Sequence, residues 1–163
     1  MSQSDAASGP ADFDFIIGDW SVQHRRLNAR LSGCTEWSVF LGTTSTRKVL
    51  GGFGNVEDND LHLPSGHVRA VALRSYDPAL RTWAIWWLDG RSPHRLDVPV
   101  VGAFSGSTGV FVADDVFNGR PIRVRFIWRK NPGGHPQWEQ AFSDDAGRSW
   151  ETNWLMEFQR SEA

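Results

Sequence analysis

Apolar and polar side chains alternate along this chain in short segments of period two. That period marks β-strands with one buried face, because successive strand side chains point to opposite sides of a sheet. In the first segment Trp20, Val22, His24 and Arg26 share one face, and Ser21, Gln23, Arg25 and Leu27 the other. Residues 35–49 form a longer strand, with Trp37, Val39 and Leu41 alternating with Glu36, Ser38 and Phe40 before a Thr/Ser-rich stretch at 43–46. Gly51, Gly52 and Gly54 then mark a bend or bulge. A barrel corner suits them better than a phosphate loop, since no helical pattern follows.

Further on, strands are predicted over 67–76, 82–88, 98–104, 110–117, 122–128, 137–142 and 149–158. Between them lie turn residues: Asp77-Pro78-Ala79-Leu80, the Ser/Gly run 105–109, Asn118-Gly119 and the loop 131–136. Ser143, Asp145, Gly147 and Trp150 have the spacing of an Asp-box, a turn in which the Asp side chain ties the loop backbone and the aromatic ring packs beneath. Nine to ten strands and no helix of useful length predict an all-β fold. Residues 11–17 add a short helical turn that closes one end. Sequential hairpins favour an antiparallel up-and-down β-barrel, whose closure removes sheet edges and whose interior can enclose one small ligand.

Composition narrows the class. Residues 1–10 are small, polar and end in Pro10, the make-up of a disordered tail, so a single β-barrel domain is expected over 11–163. Hydrophobic residues are 40% and charged residues 22% of the 163, ordinary values for a globular chain. No apolar run is long enough for a membrane helix, no secretory leader is visible, and Cys34 is a lone cysteine; the expectation is a cytoplasmic protein with no membrane partner. A net charge of −2 with both signs interspersed lacks the footprint of a nucleic-acid binder. The basic group Arg120, Arg123, Arg125, Arg129 and Lys130 reads as an outward strand face.

Nine tryptophans and ten phenylalanines against one tyrosine change the picture more. That much indole either fills a core or lines a cavity for a flat, apolar ligand. If Trp20 faces inward, His24 and Arg26 follow it; otherwise the strand reaches the rim and both are solvated. Asp114 and Asp115 are adjacent in an apolar strand, so one of them faces inward and needs a partner such as Arg74, Arg123 or Arg125, or gains a raised pKa. Trp87, Trp128 and Trp154 are candidates for ligand contact near an open end, and Gln140 could orient a ligand from the apolar face it shares with Trp138 and Phe142. Trp150, Trp154, Met156 and Phe158 are expected on one face of the last strand, with Thr152 between them. Trp86, on the opposite face of its strand from Trp87, suggests a homodimer surface. His62 and His67 flank a turn without carboxylate or cysteine companions, so no metal site is expected.

Four segments in order, FDFIIGDW (13–20), LGGFGN (50–55), YDP (76–78) and WEQAFSDDAGRSWETNW (138–154), resemble a bacterial family of uncharacterised calycin-like proteins known as a domain of unknown function. The resemblance spans almost the whole chain from Ala11. It implies a lipocalin-like barrel with Trp20 plugging the floor, and it brings no activity, cofactor or catalytic residue. A more distant likeness to nitrobindin-type haem barrels is set aside, because those place an axial histidine near the chain end and the last histidine here, His135, sits in a Pro/Gly loop. No cofactor is therefore expected.

Three functions follow from these residues. The first is binding of a small, mostly apolar and planar molecule, oriented by polar side chains drawn from His24, Arg26, Arg74, Asp114 and Gln140 among the tryptophans. The second is a cofactor-free isomerase, cyclase or lyase with His24 and Asp114 or Asp115 as acid and base. The third is a packed barrel that self-associates. Cavity volume and the surroundings of His24 discriminate among them.

Overall fold

Each predicted period-two segment is a strand, and each pairs with its neighbours in sequence. A computed structural model describes residues 8–161. After a 3-10 turn at Asp14–Ile16 come β1 (Gly18–Leu27), β2 (Trp37–Val49), β3 (Gly54–Leu63), β4 (Gly66–Asp77), β5 (Thr82–Asp89), β6 (Val100–Ser105), β7 (Thr108–Phe117), β8 (Arg120–Arg129), β9 (Gln137–Ser143) and β10 (Glu151–Arg160). All neighbours are antiparallel, and β1 pairs with β10, so the ten strands close into one up-and-down barrel. The expected disordered tail falls on residues 1–7, outside the described residues, and on Ser8 to Pro10, where the Ser8 carbonyl accepts a 2.8 Å hydrogen bond from the Tyr76 hydroxyl.

Because every connection reverses the chain, the barrel has two distinct ends. The short connections between β2 and β3, β4 and β5, and β6 and β7 lie at one end together with the N-terminal turn. There Phe13 and Ile16 are buried, and Phe13 meets Trp83 and Phe104 edge-on at centroid distances of 4.8 and 5.0 Å. The Trp20 indole N–H donates to the Ile16 carbonyl at 2.9 Å and that of Trp83 to Asp12 at 3.0 Å. This end is a plug of interlocked rings in which the Trp20 and Trp83 indole N–H groups are satisfied. At the other end emerge two long connections, residues 28–36 and 90–99, and the shorter turns of the β3–β4, β7–β8 and β9–β10 hairpins.

No sequence alternation announced β3, and the reason is physical. Its inward residues Asn55, Glu57 and Asn59 are polar and buried, so neither face reads as apolar. They face Thr44 and Thr46 of β2, which are also inward and buried. Arg74 of β4 bridges the group: its guanidinium donates to Glu57 and, at 2.8 Å, to Asn55. One wall of the interior is therefore polar and only partly paired, since Thr44 Oγ1, Thr46 Oγ1, Asn59 Oδ1 and Arg74 Nε have no partner among the described residues, and the opposite wall is aromatic.

The last strand corrects an expectation. A β-bulge shifts the register between Thr152 and Trp154 and places Asn153 in the interior. One extra residue flips the face of everything before it. Trp150 thus leaves the face of Trp154, Met156 and Phe158 and lies outside under the Arg125 guanidinium, 4.3 Å from its ring centre. The Asp-box turn forms as its spacing implied. Gly147 N–H donates to the Ser143 hydroxyl at 2.9 Å, and donation to the Asp145 carboxyl from the Ser149 hydroxyl, from the Ser149 N–H at 2.9 Å and from the Ser143 hydroxyl at 2.7 Å holds its pKa down at about 2.

Candidate ligand cavity at the barrel mouth

The open end leads into a cavity of about 720 Å³. Its wall is aromatic: Trp87 and Trp138 meet Trp154 edge-on at 5.7 and 5.2 Å, and Phe126 meets Trp138 at 5.0 Å. Val100, Ile85, Val124 and Phe142 complete the apolar lining, and the rim carries Arg26, Arg30, Arg91, Arg95, Asp89, Asp97 and Asp115.

Arg26 is the decisive charge. It pairs across the β1–β10 register with Trp154, and its guanidinium lies over that indole at 4.1 Å from the ring centre. Its Nε is buried without a hydrogen-bond partner among the described residues. Burial, then the charge of Arg30, pushes its pKa down to about 10, which leaves it cationic at neutral pH. The nearby Asp89 acts on it only at a distance, its carboxylate being hydrogen-bonded to Arg91 at 3.1 and 2.8 Å. Arg30, its pKa also lowered by burial, lies over Phe142 at 5.2 Å. Asp97 shifts the other way: burial, then the charges of Asp115 and Asp89, raises its pKa. The mouth thus offers desolvated cations beside ring faces, a setting in which a charge-assisted bond is worth more than in water.

Trp20 faces inward and His24 follows it into the interior, the first of the two alternatives, but is sealed behind Trp154. The Trp154 indole N–H donates to His24 Nδ1 at 3.1 Å, and the imidazole stacks on Phe40 at 4.6 Å with the rings 10° from parallel. Burial, then the charge of Arg26, lowers its pKa to about 3. A ring that accepts at Nδ1 carries its proton on Nε2. That atom abuts Gly42, where a Cβ would stand 3.0 Å from Nε2 and 2.6 Å from the Asp60 carbonyl oxygen, so only glycine fits there. His24 is neutral and fixes the orientation of Trp154.

Of the residues expected at a site, the structure gathers Arg26, Trp87, Gln140 and Trp154 around one cavity. Gln140 spends its amide N–H on Asn153 at 2.8 Å. Others are placed elsewhere. Arg74 is held by Glu57 and Asn55 in the closed half and lies against the Phe13 and Trp128 rings, each 5.0 Å from its guanidinium carbon. Trp128, 2% exposed, packs on Phe158 at 5.4 Å in the floor and does not line the cavity. Asp114 projects outward with its side chain 88% exposed and lies 3.4 Å from Arg123; Asp115 is the inward member of the pair and reaches the mouth. An acid–base pair of His24 with Asp114 is consequently not assembled. His62 and His67 do have a carboxylate companion, Asp60, contrary to the reading from sequence.

The residues that sequence reasoning missed come mainly from the two long connections: Arg30, Arg91, Arg95 and Asp97. Their signal was the length and Arg/Asp content of two loops that the up-and-down order brings to the same end. On the outer face of β6 and β7, Val101, Val110 and Val112 are exposed. No helix among the described residues is long and apolar enough to cross a membrane. No protein-family model matches the chain, and no curated protein shows significant similarity to it. The class of protein is defined by geometry alone: a closed, ten-stranded, up-and-down β-barrel with one plugged end and one aromatic, arginine-rimmed mouth.

Proposed function

We propose that this chain binds a small, mostly apolar, planar molecule carrying an acidic group, in the manner implied by its lipocalin-like resemblance. The ring system lies among Trp87, Trp138 and Trp154, and the acid meets Arg26. The observation that carries this reading is Arg26 itself, a cation inside an aromatic cavity with no carboxylate of its own. The volume supports it too, since cavities for drug-sized ligands run to about 300–1,000 Å³. Polar groups at the mouth orient the ligand, and apolar contact supplies most of the affinity.

The test uses 1-anilinonaphthalene-8-sulfonate, an aromatic anion whose emission rises in apolar surroundings, together with the uncharged N-phenyl-1-naphthylamine. Wild type is expected to bind the anion more tightly, and Arg26→Gln to weaken the anion by roughly tenfold to a hundredfold while leaving the amine nearly unchanged, as loss of a charge-assisted bond requires. Equal affinity for the two probes in wild type, or equal loss of both in the variant, overturns the role of Arg26. Failure of both probes to bind overturns the cavity reading.

A further inference from the structure

A second site lies on the outer face of the β3–β4 hairpin, apart from the cavity. We propose that Asp60, His62 and His67 bind one divalent transition-metal ion of the zinc type, with one carboxylate oxygen and two imidazole nitrogens as protein ligands and water in the remaining position.

The sheet register builds the site. His62 of β3 is paired directly with His67 of β4, and Asp60, two residues before His62, points to the same side. His67 Nδ1 lies 3.4 Å and His62 Nε2 3.5 Å from the same Asp60 oxygen, Oδ2. A tetrahedral ion with bonds of about 2.0–2.2 Å holds its ligands about 3.3–3.6 Å apart. Two of the three edges of a coordination face are therefore already set. The imidazoles stack at 4.2 Å with their planes 22° apart, all three ligand atoms fall within 4.8 Å of one another, and opening that stack brings both nitrogens onto one ion.

Two further observations favour metal over a plain ion pair. The cross-strand partner of Asp60 is Arg69, the cation that would ordinarily neutralise it, yet Arg69 donates to Asp58 at 2.8 Å. Asp60 Oδ1, 3.2 Å from His67 Nδ1 but outside hydrogen-bond geometry, is buried without a donor. The site grades from Asp60, 24% exposed, to His67, 64% exposed, so it is rooted in the sheet and open to water on the His67 side. A donor set of two nitrogens and one oxygen without thiolate suits zinc, copper(II), nickel or cobalt better than calcium or magnesium.

The experiment titrates the full chain with Zn²⁺ by calorimetry, and with Co²⁺ by visible absorption as a report on the ligand field. One equivalent is expected with Kd of about 1 μM or tighter. Asp60→Asn, His62→Gln and His67→Gln should each weaken it at least about tenfold, whereas His135→Gln should not. All four positions are outside the core, and urea melts of each variant without metal verify folding. Zinc should raise the unfolding midpoint of wild type and not of His62→Gln, because only the folded register assembles the ligands. Retention of full affinity by the three ligand variants, or wild-type binding no tighter than about 100 μM, overturns the assignment.

Discussion

Acid should destabilise this barrel through one buried ring. His24 is 0% exposed, and its pKa falls from 6.5 to about 3 on folding. Between those values the unfolded chain binds a proton that the folded chain excludes, so unfolding becomes easier as pH drops. The stability at stake is present above pH 6.5, declines below it, and is gone near pH 3. Each pH unit inside the window costs about 1.4 kcal/mol, and the whole window on the order of 4–5 kcal/mol. That is a large share of the ~5–15 kcal/mol by which domains are ordinarily stable. Urea unfolding followed by tryptophan fluorescence from pH 7 to 4 measures it, with His24→Gln as reference, since a glutamine oxygen can still accept from the Trp154 indole. Carboxylates such as Asp97 and Asp145 titrate in both proteins and cancel in the difference. The variant should be the less stable at pH 7, through loss of the Phe40 stack, and the two curves should converge by about 1.4 kcal/mol per unit below pH 6. Parallel curves would refute the claim that His24 stays neutral in the fold.

Two further outcomes separate the closed half from the mouth. Glu57→Gln should cost about 3–5 kcal/mol in urea melts by leaving Arg74 buried and uncompensated, and the double replacement Glu57→Leu with Arg74→Met should recover most of that loss; a Glu57→Gln loss below about 1 kcal/mol would mean water reaches Arg74. Trp128→Ala should likewise cost about 3–5 kcal/mol while the folded fraction binds the naphthalene sulfonate as wild type does. Trp87→Ala should do the reverse, weakening the probe about tenfold or more with a smaller loss of stability.

The barrel was legible because alternation survives wherever one wall of the interior is apolar. Strands β5 and β7 to β9 present Trp83, Ile85, Phe111, Ile122, Trp128, Trp138 and Phe142 inward, and the turn chemistry of Asp77, Asn118 and Gly119 delimits them. β3 was silent because three of its interior residues are Asn55, Glu57 and Asn59, with Leu61 alone apolar among the buried side chains of that face, and polarity toward the core cancels the period-two signal. The bulge at Asn153 was silent for another reason: an inserted residue leaves both flanks alternating normally, and only pairing with β9 reveals the change of phase.

The site was legible by half, and the division follows from how a barrel mouth is made. Arg26, Trp87, Gln140 and Trp154 lie within strands, where the face of one residue fixes the face of the next, so their convergence could be argued from spacing. Arg30, Arg91, Arg95 and Asp97 lie in the connections 28–36 and 90–99, which have no period to read. Which strand residues reach the cavity depends on depth as well as face. Arg74 and Trp128 face inward as correctly as Arg26 and Trp154 do, but they sit in the half that Phe13 and Ile16 plug. Depth in an up-and-down barrel depends on the end from which a strand starts, and that alternates with each hairpin. With β3 unassigned the alternation of ends could not be followed past β2, and Trp128 of the floor was grouped with Trp87 and Trp154 of the mouth. One polar strand thus hid the difference between a cavity residue and a floor residue for most of the chain.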